Sequence, residues 1–123
     1  MARPALAGEN GVILLAGLRD LKPVGLCYVV QETLADGVWN MLALGVLPAL
    51  QRHGLGAQMV AYVEAQLRDQ SQRMIIVDTS GSDGFEAARA FYTRNGYEQE
   101  ARIRDYWAEG DDKLTFRKLL ATG

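Results

Sequence analysis

Two glycines stand two residues apart in Gln51-Arg52-His53-Gly54-Leu55-Gly56-Ala57, between a long apolar run and an amphipathic stretch. A strand ending in a glycine turn that opens a helix can hold a diphosphate. The first N–H groups of a helix have no internal partner, and the aligned peptide dipoles favour an anion beside them. A Cβ at Gly54 or Gly56 would keep phosphates from those amides. The chemistry indicated is capture of a diphosphate-bearing ligand by the backbone of Arg52, His53, Gly54, Leu55, Gly56 and Ala57. The plainer alternative is an ordinary helix start with flexible glycines.

The flanking elements must position that turn. Residues 12–16, 24–30 and 38–46 read as strands separated by turns at 19–23 and 33–37, and Pro48 breaks pairing before the glycines. Over residues 54–69, Leu55, Met59, Val60, Val63 and Leu67 recur at helical spacing. Residues 74–77 form a short apolar strand, 79–84 a polar loop, and 85–94 a helix stopped by Asn95-Gly96. Residues 97–106 and 113–118 make a closing hairpin around the turn at 109–112, and residues 1–10 are expected to be loose. Short turns imply an antiparallel meander first, and the helix from Gly54 forces a parallel crossover to residues 74–77. The fold class is α/β, with a mixed sheet of about six strands and two helices.

The runs at 24–30, 38–46 and 74–77 are nearly continuously apolar, which predicts burial on both faces. A helix about 10 Å wide covers roughly two strands spaced ~4.8 Å apart. Two helices therefore cannot cover both faces of such a sheet. A second subunit is the expected cover, so a homodimer is expected.

A chain of 123 residues, 49% hydrophobic and 23% charged, forms one domain with one core. Net charge is −2, with no basic run or stripe, so neither nucleic acid nor an anionic membrane is indicated. The apolar stretch at 12–18 is too short to span a bilayer. The single cysteine, Cys27, lies in a strand-like run and reads as a buried thiol, which fits a reducing cytoplasm.

Beyond the glycine turn, the chain carries Leu44-Gly45-Val46-Leu47-Pro48 and Ala90-Phe91-Tyr92-x-x-Asn95-Gly96-Tyr97. With these in one α/β frame, the sequence resembles the GNAT superfamily of acyl-CoA-dependent N-acyltransferases. The resemblance implies a GNAT-like fold and transfer of an acetyl group from acetyl-CoA to a primary amine, directly and without a metal. It gives Leu44, Gly45 and Val46 the role of pairing with the pantetheine arm, with Gly45 suited to a bulge that splays the strand. Tyr92 takes the place of the proton donor, and Asp78 that of an acidic base found in some relatives. Tyr92 could instead be a packed aromatic, and Asp78 a strand-end cap. His53 is given no role beyond its backbone. Phe85 stands where many relatives carry an asparagine, which removes one contact to CoA. Trp39, Tyr106 and Trp107 could line an acceptor pocket, although core packing is the default for strand aromatics.

Family members ordinarily begin with a strand and two helices that wall the acceptor site, more than ten residues can supply. A catalytically inactive acyl-CoA-binding or interaction module of the same fold is therefore the alternative. A Rossmann-like nucleotide binder is disfavoured, since only one parallel crossover is evident.

Overall fold

The computed structural model describes residues 3–7, 11–51 and 54–120. Seven strands form one sheet: β1 (Arg3–Ala7), β2 (Val12–Arg19), β3 (Lys22–Gln31), β4 (Val38–Val46), β5 (Met74–Ser80), β6 (Glu98–Ala108) and β7 (Asp111–Leu119). Helix α1 (Leu55–Asp69) joins β4 to β5, and α2 (Glu86–Arg94) joins β5 to β6. The spatial order is β1-β2-β3-β4-β5-β7-β6. Only β4 and β5 are parallel, which is where the crossover helix requires it.

Three expectations need correction. The segment expected to be loose supplies β1, which pairs antiparallel along the free edge of β2, from Arg3 opposite Leu18 to Ala7 opposite Leu14. An apolar strand with an unpaired row of amides is a ready template for such an addition. The closing turn is tighter than residues 109–112. Gly110, at φ +80°, turns the chain after Glu109, so Asp111 and Asp112 belong to β7. The polar stretch after β5 also starts later, because Thr79 and Ser80 still pair with β7.

Both helices lie on one face of the sheet. Phe116 and Lys118 are two apart on β7 and so share a face. The Phe116 ring lies 5.8 Å from that of Tyr92 in α2, and Lys118 Nζ lies 2.8 Å from Glu64 Oε1 in α1. This face holds the core, including Leu15, Cys27, Val29, Met41, Ile75 and Val77 beneath Val60, Val63 and Leu67. No helix covers the opposite face among the described residues. The apolar strand runs are thus buried mainly on the helix side, with Val38 buried on the other, and Leu26 and Leu42 are left 42% and 55% exposed.

Candidate active site

β4 and β5 pair in parallel from Val38 opposite Met74 to Met41 opposite Val77, and then part. On its other side β4 stays paired with β3 as far as Val46 opposite Gly25. The register against β3 breaks between Tyr28 and Val29, which face Ala43 and Met41, so the extra residue on β4 is Leu42. The bulge is at Leu42 and not at Gly45, where an added Cβ would meet nothing within 4 Å. A bulge bends its strand and increases the local twist, which turns the end of β4 away from β5. The edge of β4 that faces β5 is consequently unpaired beyond Met41.

A cleft of about 380 Å³ fills the gap. Leu44 and Gly45 line it from β4, Asp78 from β5, and Phe85, Ala88 and Tyr92 from the chain leading into and along α2. Val46 lies just beyond, packed against the core. The structure therefore brings Tyr92, Asp78, Leu44 and Gly45 to one cavity. Phe85, which the resemblance sets at a CoA contact, also lines it, and so do Leu42 and Ala88, which the sequence pattern did not reveal because neither carries a chemical signal of its own.

The glycine turn stands at the end of β4. Gln51 Nε2 donates to Val46 O at 3.2 Å, and the Leu47 N–H donates to Val24 O at 2.9 Å, fixing the exit from the strand. Gly54 caps α1 with φ +81°, a conformation suited to glycine. The first bond inside the helix runs from Gln58 N–H to Gly54 O, which leaves the N–H groups of Leu55, Gly56 and Ala57 without an intrahelical acceptor. No side chain caps this end and no acid lies in the first turn. Arg52 and His53 lie outside the described residues.

The two glycines do different work. A Cβ at Gly54 would meet nothing within 4 Å, whereas one at Gly56 would come within 3.3 Å of Phe91 and 3.8 Å of Val46. Gly56 thus lets α1 approach α2, a packing role that the sequence pattern did not show. Leu55 turns its side chain inward, against the space over Gly17 and Gly25.

Tyr92 is buried among Phe91, Tyr97 and Phe116, and its hydroxyl has no hydrogen-bond partner among the described residues. Burial, and secondarily the nearby Cys27, hold the phenol above its ordinary pKa. On β5 Asp78 alternates with Val77, which faces the helices, so Asp78 stands on the open side of the sheet. Its Oδ1 accepts from Thr115 Oγ1 at 2.6 Å. The cleft therefore has a phenol on its helix side and a carboxylate on its open side.

The aromatics divide between core and rim. Trp39 is a core residue whose Nε1 donates to Gln72 Oε1 at 2.8 Å, so it does not line the cleft. Trp107 Nε1 donates to Thr79 O at 3.2 Å, reaching the end of β5 from the hairpin. Tyr106 carries Lys113 Nζ 4.1 Å above its ring.

A profile of the acetyltransferase (GNAT) domain matches residues 10–99. The chain belongs to the GNAT acetyltransferase family. Among solved structures, a GNAT-family protein from Desulfovibrio desulfuricans superposes with a TM-score of 0.87 at 27% identity, over 90% of this chain and 71% of that one. The ribosomal-protein-S18-alanine N-acetyltransferase of Escherichia coli gives 0.81 at 15% identity, over 94% and 74%. A GNAT acetyltransferase from Elizabethkingia anophelis, solved with acetyl-CoA bound, gives 0.79 at 11% identity and spans 97% of both chains. No curated protein sequence matches significantly.

Proposed function

We propose that this GNAT domain transfers an acetyl group from acetyl-CoA to a primary amine by direct transfer, without a metal, in the cytoplasm. The observation that carries the proposal is the parting of β4 from β5 with Tyr92 and Asp78 on opposite sides of the gap. The surroundings fit the CoA carrier. Three amides at the start of α1 that have no intrahelical acceptor among the described residues, with no acid in the first turn, suit its diphosphate. Arg52 and His53 are assigned to the same cradle by their place in the motif. The unpaired edge of β4 at Leu44, Gly45 and Val46 suits the amides of the pantetheine arm, in the manner of strand addition.

Bound acetyl-CoA would supply an acyl group already activated as a thioester. Tyr92 holds a proton at Oη, and its raised pKa keeps that proton in place at neutral pH until a leaving sulfur develops charge. Asp78 offers a carboxylate to the N–H of an entering amine. An ordinary alkylamine, with a pKa near that of lysine at ~10.4, arrives mostly protonated, so the reaction needs such an acceptor.

Release of free CoA across a panel of amines, including amino acids, polyamines and peptide N-termini, tests the reading. Turnover should fall about 10²-fold or more for Tyr92→Phe with CoA affinity unchanged, as expected for a proton donor. Equal losses in affinity and rate would make Tyr92 structural. Pantetheine, which lacks the diphosphate, should bind far more weakly than CoA. Equal affinities by calorimetry would remove the diphosphate assignment. Acetyl-CoA at a hundredfold excess over Kd should add about 2.7 kcal/mol of stability. The bare open face of the sheet favours a second reading, an acyl-CoA-binding module without turnover. Saturable CoA binding with no CoA release on any amine would select it.

A further inference from the structure

Building on the transferase reading, we infer that the acceptor is an amino acid with an apolar side chain, its carboxylate held by Lys113 while its amine meets Asp78. The two side chains share the open face of the sheet. β5 and β7 pair antiparallel, with Asp78 opposite Thr115 and Ser80 opposite Lys113. The hydrogen bond from Thr115 Oγ1 to Asp78 Oδ1 fixes the face, and Lys113 lies two residues from Thr115 on the same strand. Asp78 and Lys113 are thus diagonal neighbours, about 7–8 Å apart, a spacing that long side chains reach across.

The charges on this face differ in how they are tied. β7 presents Asp111, Lys113, Thr115 and Arg117 in turn on the open side. Arg117 Nε lies 3.4 Å from Glu100 Oε2, and Asp111 Oδ1 accepts from Ser80 Oγ. No acid forms an ion pair with Lys113 among the described residues, and its Nζ rests 4.1 Å above the Tyr106 ring. A carboxylate brought by the acceptor would give this ammonium a charge-assisted hydrogen bond, roughly twice as strong as a neutral one. A diamine or polyamine would instead set a second cation beside Lys113 once its first amine reached Asp78, and like charges repel.

The rim supplies apolar surface beside these charges. Trp107 Nε1 donates to the carbonyl of Thr79, the residue after Asp78, and Thr79 itself lines the cleft. Tyr106 packs edge-on against Trp107, with ring centroids 4.8 Å apart. The rings are 51% and 48% exposed, so half of each is left for a ligand to cover. One ring is anchored at the end of β5 and the other lies under the ammonium. An aromatic pair between a carboxylate and a cation fits a small molecule that carries an amine, a carboxylate and an apolar group.

The test measures CoA release from acetyl-CoA with leucine, methionine and phenylalanine, with their carboxamides, and with spermidine. Chemistry alone favours the carboxamides, whose amines are less basic and so less protonated at neutral pH. The free acids should nonetheless be preferred about tenfold or more in kcat/KM, the scale of one charge-assisted hydrogen bond. Lys113→Met, which keeps an unbranched stem over Tyr106, should cut that preference to about twofold or less, chiefly through KM for the acids. Lys113→Arg keeps the charge and should hold the preference within about threefold of the original. Equal turnover of acids and carboxamides, or release confined to carboxamides or spermidine, overturns this inference and leaves the transferase reading intact. So does a preference for the acids that survives Lys113→Met, or one that Lys113→Arg abolishes. Release with other amines but none of these has the same meaning, whereas no release with any amine overturns both readings.

Discussion

The two faces of the sheet are built on opposite terms. On the helix face, apolar side chains from five strands and two helices close over each other, and even the charged groups are tied. Glu64 is only 5% exposed, yet it accepts from Tyr97 Oη at 2.9 Å and from Lys118 Nζ at 2.8 Å. Lys118 also donates to Asn95 O at 2.9 Å, one of the carbonyls left without an intrahelical donor at the end of α2. One carboxylate thus joins α1 to β7 and to the exit of α2, just beyond Tyr92. On the open face, Leu14, Leu26 and Leu42 stand half in water, and Asp78 has a threonine for company. The same strands contribute to both faces, so the contrast arises from where the helices pack and not from strand composition. Stability is concentrated on one side, while the chemistry proposed for Asp78 is left accessible on the other.

That contrast can be broken by single substitutions. Lys118→Met leaves the buried carboxylate of Glu64 without its cation and should cost about 3–5 kcal/mol in urea unfolding. Adding Glu64→Leu to it should recover most of that loss, because an apolar pair needs no compensation. A double variant as unstable as the single would show that the pair itself, and not the orphaned charge, matters. Leu67→Ala, in the fully buried seam of α1, should cost about 2–5 kcal/mol by the same measurement.

Cys27 gives a smaller effect with a defined direction. Burial pushes its thiol from 9.0 up to about 12. Below pH 9 the thiol is protonated in folded and unfolded chains alike, so it contributes no pH dependence there. Between pH 9 and about 12 only the unfolded chain releases the proton, so stability should fall by up to about 1.4 kcal/mol per pH unit from this group. The native thiol should also resist alkylation until the chain unfolds. Rapid labelling under native conditions would place Cys27 outside the core. At the small end, Leu42→Gln on the open face should change stability by no more than about 0.5 kcal/mol. A large loss there would mean that something covers this face in solution.

The hairpin shows a third arrangement, in which polar groups shape an exposed element. The Asp105 N–H donates to Asp112 Oδ1 at 2.9 Å, and Gly110 N–H donates to Asp105 Oδ1 at 2.8 Å. Asp105 itself sits at φ +59° inside the widened stretch of β6. The Asp105 amide first, and then Arg102, hold the Asp112 carboxyl below its usual range. What reads in sequence as a solvated acidic turn is therefore the brace that sets the bulge carrying Tyr106 and Trp107.

Local pattern was enough for much of this molecule. The span of β4, the start and end of α1, the stop of α2 at Asn95-Gly96, and the burial of Cys27 all follow from periodicity, turn residues and hydropathy. These are contests between near neighbours in the chain, and the chain states them directly. Glu64 was legible in principle, since it falls on the apolar stripe between Val60 and Leu67, where a charge demands a partner. Its partners could not be read, because Tyr97 and Lys118 lie 33 and 54 residues away.

The glycine turn was named by its residue types and setting, and Tyr92 and Asp78 by the family resemblance. The meeting of Tyr92 and Asp78 in one cleft was decided by the Leu42 bulge and the loss of pairing after Met41, which depend on three strands at once. The packing duty of Gly56 came from Phe91, 35 positions along the chain. The strand formed by residues 3–7 needed the free edge of β2 to exist first. Amino-acid order alone determined which segments become strands and helices and which side chains carry chemistry. Only the assembled sheet decided which face is dry, where two strands separate, and which groups stand across the gap, because burial and register depend on neighbours far away in sequence.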